Sequence, residues 1–143
     1  MLNARIVVAQ TEPEVEKCFQ VMHQLRPHLG LEKYLTQVKE QRLSAGYQLI
    51  FIENETQVVA AIGYRVTYFL AWGKVLYIDD LITDALQTNN GYANELVDWV
   101  FSKAKELECD QVHLDSGYHR HAAHNLYLKK EFKLACHHFS KEV

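Results

Sequence analysis

VLYIDDLIT (75–83) runs through four residues into TNNGYANELVDWVF (88–101), and the join between these stretches decides the fold. The first is an apolar run of strand length. The second belongs to an amphipathic helix over 91–107, with Leu96, Val97, Val100, Phe101, Ala104 and Leu107 on one stripe. Glycine is a poor helix former, yet Gly91 stands at the start of this helix. Asn-Gly marks a turn, which is one reason for it. The other is close approach: unpaired amides in the first helical turn and the positive end of the helix dipole face one point, where an anion binds. Gly91 lets a phosphate come near the backbone, and the small Ala93 keeps the next position open.

Upstream, RIVV (5–8) reads as a strand, and TEPE (11–14) opens a helix over 12–26 with a Thr11/Glu14 capping box. Pro27 and Gly30 end it. A second helix carries Leu31, Leu35 and Val38 on one face and stops near Gly46. Strands are expected at 47–53 and 57–67, joined at Asn54-Glu55-Thr56, and again at 75–83. After the helix 91–107 come a strand at 111–115, a helix at 120–130 and a last alternating strand, FKLACHHF, at 132–139. The order β-α-α-β-β-β-α-β-α-β implies an α/β (α+β) fold, a mixed sheet with helices on both faces.

The chain of 143 residues is expected to form a single domain, 1–143, with a substantial core. A formal charge of −3 argues against a nucleic-acid surface, which shows as a basic patch. No apolar run has the length of a membrane span, and the N-terminus lacks the layout of a signal peptide. Cys18, Cys109 and Cys136 are widely spaced and read as reduced thiols of a cytoplasmic protein.

Gly91-Tyr92-Ala93 after YIDDLIT, followed by HLDSG and AAHNLYLKKEF, resembles the GNAT superfamily of N-acetyltransferases. In that family a loop of pattern R-x-x-G-x-G/A after the fourth strand binds the pyrophosphate of acetyl-coenzyme A. A later helix carries Ala, then Tyr four residues on, then Gly-Phe. Here Ala123, Tyr127 and Glu131-Phe132 hold those places. The family's leading Arg or Gln falls on Thr88, its Asn seven residues before the Tyr on Arg120, and its Gly before the Phe on Glu131. The resemblance is best over 75–139. It implies a mostly antiparallel sheet, acetyl-coenzyme A as acetyl donor, no metal, and direct transfer to an amine of a small molecule or peptide in a ternary complex. A non-catalytic module of the same fold, binding coenzyme A or a metabolite, is the alternative.

The resemblance also implies roles. Thr88, Asn89, Asn90, Gly91, Tyr92, Ala93 and Arg120 would meet the phosphates, and backbone groups of Leu81, Ile82 and Thr83 the pantetheine arm and acetyl carbonyl. Tyr127 would protonate the departing thiolate, since a phenol of pKa about 10 is protonated at neutral pH. Asp79 and Asp80 lie within an apolar strand, and side-chain alternation would send them to opposite faces. Either one suits the general base that takes the amine proton, a charge that attracts a cationic amine without taking its proton, or a structural salt bridge. Glu53 is a weaker rival. Among eight histidines, His121 and His124 share a helical face but lack further ligands at helical spacing. Tyr68, Phe69 and Trp72 suit an apolar substrate or a homodimer contact equally.

Overall fold

The computed structural model describes residues 3–143. The chain forms two compact units, one running to His113 and the other from Leu114 to Val143. In the first, β1 (Arg5–Val8) is followed by three helices, α1 (Glu12–Lys17), α2 (Phe19–Leu25) and α3 (Leu31–Ala45). Then come β2 (Gln48–Glu53), β3 (Val58–Phe69), β4 (Gly73–Thr83), a 3₁₀ turn (Ala85–Gln87), α4 (Tyr92–Glu106) and β5 (Gln111–Leu114), whose last residue begins the second unit. The five strands form one sheet in the order β1-β2-β3-β4-β5, with each of the first four antiparallel to its neighbour among them. Asp110 N–H donates to the Lys74 carbonyl at 2.7 Å, and the His113 ring lies 6.2 Å from that of Tyr77. β5 therefore runs beside the first half of β4, in the same direction.

Alternation along the strands builds two cores. Tyr47, Leu49, Phe51 and Ala61 point to the face covered by α1, α2 and α3, where they pack with Val15, Cys18, Val21, Met22, Tyr34 and Val38. The intervening residues point to the other face, covered by α4 through Leu96, Val97, Val100 and Ala104. There Tyr64 of β3 meets Trp99 of α4, ring centroids 6.2 Å apart. Burial of this apolar surface is the main force holding the layers together.

Local signals act as their chemistry demands. Thr11 and Glu14 form both halves of the capping box. The side-chain oxygen of Asn54 accepts from the N–H groups of Thr56 and Gln57, each at 2.9 Å, and so closes the β2–β3 turn. Two boundaries differ from the sequence expectation. The helix expected over 12–26 is two helices, because Cys18 turns at ψ −8° and its N–H donates to Val15 O, three residues back, rather than to Glu14 O, four back. The strands β3 and β4 continue to Phe69 and from Gly73, leaving only Leu70–Trp72 as their hairpin turn.

The second unit holds α5 (His121–Lys129), within the expected 120–130. The strand expected at 132–139 does not form. Leu134 and Phe139 are 98% and 90% exposed, and no ladder pairs this segment. Alternation in sequence says which face a strand would bury, but a strand exists only where a neighbouring edge accepts its hydrogen bonds.

Candidate active site

The two aspartates of β4 do not obey simple alternation. Gly63 of β3 faces Asp80, whereas the next residue, Tyr64, faces Ile78. Asp79 is thus the extra residue of a β-bulge, which bends a strand and re-aims its side chains. Counting from either end of β4, Tyr77 and Asp79 on one side of the bulge share a face with Asp80 and Ile82 on the other. The expectation of opposite faces is corrected: Asp79 and Asp80 both line a single cavity of about 390 Å³ between β4 and the helices α2 and α3.

Asp80 is held from the helical side. Its Oδ2 accepts from the Tyr47 hydroxyl at 2.8 Å, and its Oδ1 from Arg26 Nε at 3.1 Å. Arg26 Nη2 lies 3.0 Å from the same Oδ1 and donates at 3.0 Å to the Asp79 carbonyl, so one guanidinium braces both residues of the bulge. Burial, reinforced by the nearby Asp80 charge, pushes the Tyr47 phenol well above its ordinary range, leaving it a firm donor.

Tyr47 reaches Asp80 only because residue 63 is glycine. A Cβ on Gly63 would fall on the Tyr47 hydroxyl, and the fully buried ring has nowhere to retreat. Gly63→Ala should lower stability by about 1–3 kcal/mol through overpacking and detach Tyr47 from Asp80. In urea titrations, Gly63→Ala combined with Tyr47→Leu should lose clearly less than the sum of the single losses. Strict additivity would show that the two sites do not compete for one space.

Asp79 is held from the hairpin side, by Arg65 Nε at 3.0 Å. Arg65 also lies over the Tyr77 ring at 4.8 Å, beside an aromatic group of Phe69, Trp72 and His113. Two of the three residues weighed as a substrate or dimer contact, Phe69 and Trp72, therefore pack on their own hairpin, while Tyr68 is exposed. Desolvation raises the Asp79 pKa, with Arg65 opposing the rise. Glu53 does not line the cavity; it pairs with Arg5 and Lys17, and the Arg5 hydrogen bond lowers its pKa.

Leu81, Ile82 and Thr83 continue β4 past the stretch that β5 flanks. The chain then turns over Ala85–Gln87, where Asp84 caps the Leu86 N–H at 2.9 Å and Asn90 Nδ2 ties back to the Gln87 carbonyl at 3.0 Å. Thr88, Asn89, Asn90 and Gly91 are exposed; Tyr92 and Ala93 are half-buried. Gly91 is the N-cap of α4 at φ 79°, and Asn89 also has a positive φ of 67°. No side chain caps the first turn of α4, and a Cβ on Gly91 would meet no atom within 4 Å. An uncapped fifteen-residue helix with clear space before its amides fits the diphosphate of a coenzyme A.

Within the second unit, Arg120 is the N-cap of α5, and Tyr127 is buried with Phe132 set edge-on at 5.8 Å. Burial raises the Tyr127 pKa, against the nearby Arg120 charge. The rings of His121 and His124 stand 6.0 Å apart, and His124 Nε2 donates to the Gly117 carbonyl at 2.9 Å. Among the described residues no group of three or more His, Cys, Asp or Glu side chains is placed to hold a metal ion. None of the described helices is long and apolar enough to cross a membrane.

Reading the residues in order missed Tyr47, Arg26, Arg65 and Gly63. Gly63 alone carried a usable signal, since a glycine inside an apolar strand marks a bulge or a close approach.

The sequence pattern of the acetyltransferase (GNAT) family matches residues 12–132. An uncharacterized N-acetyltransferase of Bacillus subtilis is 28% identical over 120 residues, 84% of each chain. A D-amino-acid N-acetyltransferase of Saccharomyces cerevisiae is 24% identical over 144 residues, covering 93% of this chain and 88% of that one. An aminoglycoside N-acetyltransferase solved with coenzyme A superposes with a TM-score of 0.85 at 11% identity, covering 100% and 96% of the two chains. With the family pattern spanning most of its length, the chain belongs to the GNAT family of acetyltransferases.

Proposed function

We propose that this chain, acting as one domain over 1–143, moves an acetyl group from acetyl-coenzyme A to an amine by direct attack in a ternary complex. The observation that carries this reading is the bulge in β4. It sets two carboxylates in one cavity, on the strand that leads directly to the uncapped start of α4. Acetyl-coenzyme A, as substrate, supplies an activated thioester carbonyl. The amides at 89–93, with Thr88, hold its phosphates, a role that the match to the family pattern also assigns to Arg120. Asp79 or Asp80 takes a proton from the acceptor amine, whose lone pair then forms the new C–N bond. Backbone groups of Leu81, Ile82 and Thr83 steady the carbonyl oxygen as it gains charge. Tyr127, assigned by its match to the family pattern, gives a proton to the sulfur as the C–S bond breaks.

A non-catalytic module would use the same phosphate loop, and the arginine already paired with each carboxylate favours that alternative. Thiol release on adding an amine separates the two. The cofactor half has its own test. At a hundredfold excess over Kd, acetyl-coenzyme A should raise the melting temperature by about 5–10 °C. In Gly91→Val, a branched side chain enters the space before the amides, and the shift should vanish relative to that variant's own baseline. An undiminished shift would place the coenzyme elsewhere.

A further inference from the structure

We infer that the acceptor is a free α-amino acid with an apolar side chain, taken up in the cavity beside the β4 bulge. This rests on the acetyl-transfer reading and narrows it. Polycationic amines need a surplus of negative charge, and the cavity has none to offer. Asp79 is matched by Arg65 and Asp80 by Arg26, so the four formal charges cancel. The other titratable side chains of the wall, His23, His28, Tyr34 and Tyr47, add no anion at neutral pH.

The arrangement instead suits a molecule carrying both charges close together. Arg26 spends Nε and Nη2 on the bulge, and its Nη1 makes no hydrogen bond among the described residues. Its side chain is 42% exposed and lines the cavity, with its guanidinium 3.0 Å from the Asp80 carboxylate. A guanidinium edge is a preferred partner for a carboxylate. An ammonium between Asp79 and Asp80 would bring a carboxylate one carbon away within reach of Arg26. The rest of the wall includes Phe19, Met22, Leu29 and Val38, which suit an apolar side chain. A volume of about 390 Å³ sits at the small end of ligand cavities.

The test compares phenylalanine, as each enantiomer, with 2-phenylethylamine, which keeps the ring and a similar amine but lacks the carboxylate; spermidine is the polycation. With acetyl-coenzyme A saturating, kcat/KM from thiol release should favour one phenylalanine enantiomer over 2-phenylethylamine by roughly 10- to 100-fold, as a charged hydrogen bond implies. Arg26→Gln should bring that ratio close to one, whatever it does to the absolute rate, and Arg26→Lys should restore part of it. Equal or better turnover of 2-phenylethylamine or spermidine, or an unchanged ratio in Arg26→Gln, would overturn the assignment. If no amine releases thiol, acetyl transfer itself fails, and the ligand class is read by calorimetric titration into protein saturated with coenzyme A. The same preference should appear there. Failure of phenylalanine to bind ahead of 2-phenylethylamine would overturn the class as well.

Discussion

Asp79→Asn should lose about 10²- to 10⁴-fold in turnover, the contribution of a general base, while Asp80→Asn loses far less. Both carboxylates lie in the cavity, but their surroundings differ. The two oxygens of Asp80 already accept from Tyr47 and Arg26, which fix its position. Asp79 is desolvated, and its raised pKa makes it a better proton acceptor than an ordinary aspartate. The sign of the pH effect follows from that shift. Asp79 must be ionised to act, so turnover should fall as pH drops through its pKa. That acid limb should lie above the ordinary aspartate range and disappear in Asp79→Asn. Acetyl-coenzyme A affinity should hardly change, because neither side chain faces the α4 loop in this scheme. A large loss confined to Asp80→Asn would transfer the role to Asp80. Equal, mild losses in both variants would assign the pair to structure and leave the amine to lose its proton to solvent.

Tyr127→Phe should reduce turnover by about 10- to 10⁴-fold, the range for a lost general acid, with little change in affinity for acetyl-coenzyme A. Only the hydroxyl is removed, and the edge-on packing of the ring against Phe132 survives. Within the second unit the hydroxyl makes no hydrogen bond among the described residues, so folding loses nothing there. The raised pKa keeps the phenol protonated across the neutral range, as a proton donor requires. The loss should shrink with an acyl donor whose leaving group is a weaker base, since that group departs without help. Full turnover in Tyr127→Phe, under conditions where chemistry limits the rate, would remove Tyr127 from the mechanism. Single-turnover measurements decide whether that condition holds.

Much of this protein is written locally in its sequence. The capping box at Thr11, the apolar stripe of α4, the turn at Asn54 and the glycine opening α4 each depend on neighbours within a few residues. The family pattern is legible for the same reason, since amides at a helix start bind phosphate with little help from distant side chains. The candidate acceptor site was legible only as a pair of acids. Tyr47 and Arg26 lie 33 and 54 residues from Asp80 in the chain, and no spacing rule connects them. The bulge is a property of two strands in register, so β4 alone could not reveal that Asp79 and Asp80 share a face. The segment 132–139 makes the same point in reverse, having strand periodicity without a partner edge. Short-range chemistry determined most of the elements, their caps and the glycine turn that opens α4. Only the tertiary structure decided which way the two carboxylates point and what holds them, because strand register and side-chain neighbours come from contacts between distant parts of the chain.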